Sequence, residues 1–219
     1  GISSQYVSSL LMACPLATGD TEINVVELNE HPYVYMTLNW LDFLGVSSEV
    51  SDDLTEIKIK GMQSYKAFTR KIPGDYSSAT FLICAGVLAG GTLTLKGLEM
   101  DDPQGDRAVI DILRCMGAEI EVENDSVIVK GGRLKGIEID MNSIPDAIPM
   151  LAACACFADG ATVLKNVPQA RMKETDRIAV MATELTKLGA VIQELPDGLI
   201  IKGTGLHGGS VHGHNDHRV

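Results

Sequence analysis

The sequence predicts an α/β fold of the α+β kind, a repeated α-β-α-β-β unit of about 70 residues with buried parallel helices and sheets outside. Three observations predict it. Gly45, Gly117 and Gly189 stand 72 residues apart, in Leu44-Gly45-Val46, Met116-Gly117-Ala118 and Leu188-Gly189-Ala190. Lys60-Gly61, Lys130-Gly131 and Lys202-Gly203 each close an alternating apolar run. Gly19-Asp20-Thr21, Gly90-Gly91-Thr92 and Asp159-Gly160-Ala161-Thr162 recur in the same order. These markers define three copies and the opening of a fourth. What recurs is scaffold, and polar residues present in one copy only are candidates for chemistry.

Each copy opens with an apolar run of helical length, at residues 5–17, 79–89 and 147–158. A short strand follows, as in Thr92-Leu93-Thr94-Leu95-Lys96. A second, amphipathic helix then ends at the repeated glycine, whose freedom at positive φ suits a helix C-terminus. Two alternating strands complete the unit, for example Ala118-Glu119-Ile120-Glu121-Val122 and Ser126-Val127-Ile128-Val129-Lys130. Asn124-Asp125 and Pro196-Asp197-Gly198 supply the turns between them. The first helices are apolar nearly all round and are expected to be buried. Their N-termini carry unpaired N–H groups and partial positive charge, which favour an anion. The residues at those ends are Ser3-Ser4-Gln5, Ser77-Ser78, Pro145-Asp146 and, opening the fourth copy as a further helix start, Asn215-Asp216-His217-Arg218.

Composition bounds the partners. Apolar content of 45% with 21% charged residues is ordinary for a globular chain, and aromatics at 5% leave the core to aliphatic residues. The net charge of −11 argues against nucleic acid and anionic membranes but allows a small anionic ligand in a local cationic pocket. Five cysteines lie in apolar stretches. Cys154 and Cys156 would point roughly 200° apart on a helix, which suits buried small hydrophobes better than a metal pair. A reducing, cytoplasmic setting follows, and no stretch is long and apolar enough to span a bilayer. The histidines of the tail (His207, His212, His214, His217) sit among glycines without a carboxylate or cysteine framework, so zinc is set aside for an anion pocket.

Two features break the repeat. The second helix of copy three is expected to start with Arg171-Met172-Lys173-Glu174-Thr175-Asp176-Arg177. Lys173, Glu174 and Arg177 then share one face, and cations at a helix N-terminus are unfavourable unless something negative sits among them. A solvated charge cluster is the plain alternative. Arg107 and Arg177 both stand fifteen residues after the strand threonines Thr92 and Thr162, so the Asp-Arg pair is partly scaffold; Lys173-Glu174 has no counterpart. The second feature is Asp146, where other copies place serine. It is either an ordinary helix-start carboxylate or a reactive one.

Taken in order, these motifs resemble the 3-phosphoshikimate 1-carboxyvinyltransferase (5-enolpyruvylshikimate-3-phosphate synthase) family over essentially the whole chain. The residues that carry the resemblance are Ser3-Ser4-Gln5-Tyr6, Pro32-Tyr33, Gly74-Asp75-Tyr76-Ser77-Ser78-Ala79, Ile144-Pro145-Asp146-Ala147, Lys173-Glu174-Thr175-Asp176-Arg177 and Asn215-Asp216-His217-Arg218. The resemblance implies the inverse α/β barrel of enolpyruvyl transferases, two lobes of three repeats each with ligands between them. It places residues 1–72 as the last repeat of the shikimate 3-phosphate lobe and 73–219 as two repeats of the second lobe, ending at the start of another. It implies a fragment lacking both ends and inactive alone, belonging to a monomeric cytoplasmic enzyme of aromatic amino-acid biosynthesis.

The resemblance also assigns roles. Ser3, Ser4, Gln5, Tyr33, Asp146, Gln169 and Lys173 would bind shikimate 3-phosphate, and Gln5, Arg177, His217 and Arg218 would bind phosphoenolpyruvate. Asp146, Glu174 and Lys173 would be catalytic, with Asp146 as base at the 5-hydroxyl and Glu174 moving a proton at the methylene carbon. No metal or organic cofactor is implied. The sequence departs from the family at Glu30-His31, where Ser and a basic residue often precede Pro-Tyr, and at Gln169, where many members carry Asn. A UDP-N-acetylglucosamine enolpyruvyl transferase would share the fold but lack Lys-Glu-Thr-Asp-Arg at this place. A non-catalytic binding module on the same scaffold is the rival from another class.

Overall fold

In the computed structural model, which describes residues 3–219, the period-72 glycines all take positive φ, 76° at Gly45, 108° at Gly117 and 93° at Gly189. The next residue donates its N–H to a carbonyl five positions back: Val46 to Leu41 at 2.9 Å, Ala118 to Leu113 at 2.9 Å, Ala190 to Leu185 at 3.1 Å. This is a Schellman ending, and it explains why the glycine is always followed by an apolar residue: that residue packs back on the helix.

The chain divides into two compact units. One runs to Ile72 and includes Asp102–Gly105; the other comprises Pro73–Asp101 and Asp106–Val219. The first unit contains α1 (Gln5–Ala13), β1 (Thr21–Asn24), α2 (His31–Phe43), β2 (Ser48–Val50) and β3 (Glu56–Ile59). Its sheet has the order β1-β3-β2, all antiparallel, with Thr21 opposite Ile59. Leu11, Val34, Leu41, Leu54, Ile57 and Ile59 form its core.

The second unit contains α3 (Tyr76–Ala89), β4 (Leu93–Lys96), α4 (Val109–Met116), β5 (Ile120–Glu123) and β6 (Ser126–Val129). It continues with β7 (Glu138–Asp140), α5 (Ile148–Ala155), β8 (Ala161–Lys165), α6 (Arg177–Lys187), β9 (Val191–Leu195) and β10 (Gly198–Lys202). The sheet orders β4-β6-β5 and β8-β10-β9 repeat that of the first unit. The Lys-Gly marker is explained by close approach in copies one and three, and by a positive φ of 87° at Gly131 in copy two. A Cβ on Gly203 would lie 1.6 Å from the Ala158 carbonyl oxygen, and one on Gly61 2.3 Å from that of Gly19. In both, the end of the repeat lies against the end of its own first helix, where no side chain fits.

Four expectations need correction. Burial of the first helices holds for α5, whose Ile148, Met150, Leu151, Ala152, Cys154 and Ala155 are covered. It fails for α1, which buries Leu11 and leaves Tyr6 at 67% and Met12 at 53% exposure. Its main helical neighbour is α2, which covers one face. The second correction is that α6 starts at Arg177: Pro168–Met172 is a 3-10 turn, Lys173 is extended (φ −84°, ψ −156°), and Asp176 caps the helix by accepting the Ala179 N–H at 3.0 Å. Thirdly, Asn215–Arg218 lies in turns, not a helix start; Asp216 folds over to accept the Arg218 N–H at 2.9 Å. Lastly, the connector from copy two supplies β7, parallel to β8, which three residues of alternation were too short to signal. Among the described residues no helix is long and apolar enough to cross a membrane.

Candidate active site

Arg177 is the largest fully buried side chain of the described residues, at 1% exposure. It is the first residue of α6, where its own helix dipole opposes it. Three carboxylates compensate. Its Nε donates to Asp216 Oδ2 at 2.8 Å, Nη1 to Asp146 Oδ1 at 2.7 Å, and Nη2 to Glu174 Oε2 at 2.8 Å and Asp216 Oδ1 at 3.1 Å. Four of the five guanidinium donors are thereby engaged. Burial works against the charged guanidinium, but Asp216 and Asp146 outweigh it and raise its pKa. Burial would likewise raise Asp216, yet Arg177, the Arg218 N–H and Thr175 hold it at about 2. Thr175 donates its hydroxyl to Asp216 Oδ2 at 3.0 Å.

Asp146 lies in the 3-10 turn Pro145–Ala147 that leads into α5 and makes no helix cap. Its second oxygen is 3.8 Å from Arg218 Nη2. The capping alternative is therefore set aside, and Asp146 faces two arginines. By contrast Asp75 is a cap: it accepts the Ser77 and Ser78 N–H groups at 3.0 and 3.1 Å at the start of α3. Burial would raise Asp75, but bonds from Ser78 and Ser77 and the charge of Arg218 lower it. The N-terminal ends of α3, α5 and α6 thus meet around Arg218 and Arg177. The side chain of Arg218 is 12% exposed, and its Nε is buried without a hydrogen-bond partner.

His217 stands at the rim, 62% exposed, with Nδ1 3.7 Å from Glu174 Oε1. Lys173 is half-buried one residue before Glu174. Gln169 is buried; its Nε2 donates to the Asn142 carbonyl at 3.0 Å and its Oε1 has no hydrogen-bond partner. Glu174, Asp216 and His217 offer ligand atoms within 4.8 Å of one another. Arg177 already bonds both carboxylates, so a metal ion would have to displace a guanidinium. Cys154 and Cys156 are both fully buried, and burial pushes the Cys156 thiol up to about 11.

In the first unit, Ser4 is buried at the start of α1, and its N–H and hydroxyl both donate to Glu30 Oε2, at 3.3 and 2.9 Å. Glu30 is itself buried and takes a left-handed conformation (φ 59°) just before α2. Ser3 Oγ accepts the Gln5 N–H at 3.3 Å, and Gln5 is exposed. Tyr33 lies in the first turn of α2, its N–H bonded to the Glu30 carbonyl at 3.1 Å.

Sequence reasoning missed three participants. Asp216, Asp75 and Thr175 all stand in quoted motifs but were given no role of their own. Asp75 was legible as an N-cap two residues before Ser77. Asp216 was not, because its partner lies 39 residues away.

The family described as EPSP synthase (3-phosphoshikimate 1-carboxyvinyltransferase) matches residues 1–219, and the chain belongs to that family. A 3-phosphoshikimate 1-carboxyvinyltransferase of Ruminiclostridium cellulolyticum is 54% identical over 218 residues, covering 100% of this chain and 51% of the relative. One from Methanocaldococcus jannaschii is 42% identical over 221 residues, again covering all of this chain and 51% of the relative. The chain spans about half the length of the curated relatives it matches. A solved EPSP synthase from Acinetobacter baumannii superposes with a TM-score of 0.81 at 30% identity, over 99% of this chain and 52% of that one. The enolpyruvyl transferase NikO from Streptomyces tendae superposes with a TM-score of 0.72 at 23% identity, over 91% of this chain and 46% of that one, which speaks to the fold alone. The fold is that of the enolpyruvyl transferases.

Proposed function

We propose that this chain is part of an enzyme that transfers the enolpyruvyl group of phosphoenolpyruvate to the 5-hydroxyl of shikimate 3-phosphate, releasing phosphate. The observation that carries the reading is the convergence of Asp146, Glu174, Arg177, Asp216 and Arg218, drawn from three separate stretches of the family's sequence, at joined helix N-termini. The chemistry needs a proton donor at carbon, a base at oxygen and cations for two anionic ligands. Protonation of the phosphoenolpyruvate methylene builds positive character at C2, the 5-hydroxyl oxygen bonds there as its proton leaves, and a tetrahedral adduct forms. The C2–O bond to phosphate then breaks while the methyl group returns a proton. In this reading Asp146 takes the hydroxyl proton, Glu174 handles the proton at carbon, and Lys173 contacts the substrate and bridging oxygens.

Arg177 and Arg218 receive phosphoenolpyruvate with guanidinium geometry suited to carboxylate and phosphate, with His217 beside them; Gln5 is a ligand of it by family resemblance alone. Asp146 and Glu174 each bond Arg177. An arriving anion replaces them and frees the two carboxylates the reaction uses, while the fully buried Asp216 keeps the guanidinium in place. By family resemblance, Ser3, Ser4, Gln5 and Tyr33 of residues 1–72 are ligands of shikimate 3-phosphate, and Gln169 is another. The Ser4 hydroxyl is held by Glu30, so that serine must turn from Glu30 to the ligand, or His31 takes over the phosphate contact. The intact enzyme is a cytoplasmic monomer in this reading, and the 219-residue chain alone is inactive. Phosphate release by the complete protein from both substrates, absent with either alone, tests it. Turnover by the isolated chain would overturn the claim that it holds only part of the site.

A further inference from the structure

Helix α6 carries a second buried charge. Glu184 lies two turns beyond Arg177 on the same side of the helix and is 3% exposed. The buried positions of α6 are Arg177, Ile178, Met181, Glu184 and Leu185, so a carboxylate stands where the packing pattern asks for an aliphatic side chain. A carboxylate persists in such a place only when its oxygens are hydrogen-bonded. Glu184 Oε1 meets His214 Nε2 at 2.7 Å and Lys187 Nζ at 2.7 Å, and Oε2 accepts the His212 N–H at 3.0 Å. Lys187 belongs to the same helix. The other two donors come from the glycine-rich tail.

Besides these, the tail is tied by the His207 N–H to the Leu188 carbonyl at 2.9 Å. Two bonds lie within its own turn, the His214 N–H to His212 Nδ1 at 2.8 Å and the Asp216 N–H to the Gly213 carbonyl at 2.8 Å. Residues 207–215 are exposed throughout. His214 and Asn215 take left-handed conformations in succession, φ 49° and 59°, a region His and Asn enter more readily than other non-glycine residues but rarely two in a row. One residue later Asp216 meets Arg177, and Arg218 reaches Asp146. The segment is therefore pinned to α6 at both ends, by Glu184 on one side and Arg177 on the other.

We propose that Glu184 is a positioning residue for the anion end of the site: by holding His212 and His214 it sets the turn that delivers Asp216 and Arg218 to Arg177. The proposal rests on the reading of Arg177 and Arg218 as phosphoenolpyruvate ligands. Glu184 touches no reacting atom, and nothing in the sequence marks it as more than a helix-surface glutamate.

The test uses the complete protein containing this chain, as wild type, Glu184→Leu and Glu184→Gln. Leucine suits the buried position and removes both acceptors; glutamine keeps an acceptor for the His212 N–H. With Glu184→Leu, amide exchange at His212, Asp216 and Arg218 is expected to rise at least about tenfold while the middle of α6 is unchanged. The KM for phosphoenolpyruvate is expected to rise about tenfold, with the KM for shikimate 3-phosphate within about twofold of wild type. Glu184→Gln should recover most of both effects. Unchanged exchange in the leucine variant overturns the proposal, as does faster exchange with an unaltered KM for phosphoenolpyruvate. A uniform loss in both KM values and kcat assigns Glu184 a general structural role and overturns it too. Should Glu184→Leu fail to fold, His214→Ala, at a half-exposed side chain, carries the same readouts, with Glu184→Gln as the control expected to stay near wild type. If the wild-type protein turns over no phosphoenolpyruvate, the proposed reaction fails, and exchange alone then decides whether Glu184 anchors the tail.

Discussion

Replacing Arg177 by methionine isolates the energetic role of the guanidinium. The side chain of Asp216 is 0% exposed and that of Arg177 1%, so the substitution leaves a carboxylate in the interior with its principal cation removed. Breaking a buried pair from one side costs about 3–5 kcal/mol, because the stranded charge keeps its desolvation penalty. Asp146 and Glu174 are 27% and 48% exposed, and their share is below about 1 kcal/mol each. For a domain of this size about 2–4 °C of melting temperature accompanies each kcal/mol, so Arg177→Met should lower it by roughly 6–20 °C. The cycle is completed with Asp216→Leu and the double variant, each melted by circular dichroism and by denaturant. The double variant should recover most of the loss, since an apolar pair replaces an ion pair at little net cost. A loss under about 1 kcal/mol for Arg177→Met, or a double variant as unstable as the sum of the singles, would refute the reasoning.

Asp146→Ala in the complete protein should abolish phosphate release while leaving stability within about 1 kcal/mol, because the side chain caps no helix; parallel melts and phosphate assays check this. Asp75→Ala should cost about 1 kcal/mol through loss of the α3 cap, read as a shift in denaturant midpoint. Gly203→Ala would set a Cβ 1.6 Å from the Ala158 oxygen and should destabilise by about 2–3 kcal/mol, whereas Gly208→Ala, with nothing within 4 Å, should be neutral. Asp216, lowered from 3.8 to about 2, stabilises the fold fully above its unfolded pKa and loses that contribution as pH falls through about 2. Acid unfolding between about pH 4 and 2 should therefore flatten in Asp216→Asn.

The repeat was readable because its markers answer to local rules. The period-72 glycine ends a helix by a motif spanning six residues, and the sheets follow from alternation and two-residue turns. Where reading failed, the competing cause was also physical. Lys173 to Asp176 have helix-forming spacing, yet Asp176 is a better cap than interior residue, so α6 begins one residue later at Arg177. Glu174 and Arg177 still meet, across a turn and not along a helix. The convergence of Asp146 with Arg177 was anticipated only through family resemblance, since contacts over 31 residues leave no periodic trace. The exposed face of α1 shows the limit of the apolar pattern: it records that a face is to be covered, not by what.

The pairing of first strand with third also sets how the chain yields to force. Thr21 opposes Ile59, Leu93 opposes Val129 and Ala161 opposes Lys202, so the entry and exit of each repeat's sheet lie at the same end of one antiparallel ladder. Tension between those points loads the hydrogen bonds singly, beginning beside the Lys-Gly marker, like a zipper drawn from its open end. None of these three ladders is sheared along its length; the parallel β7–β8 pair is the exception, loaded along its whole length at once. A chain pulled through a narrow pore would surrender the three ladders pair by pair, one repeat after another.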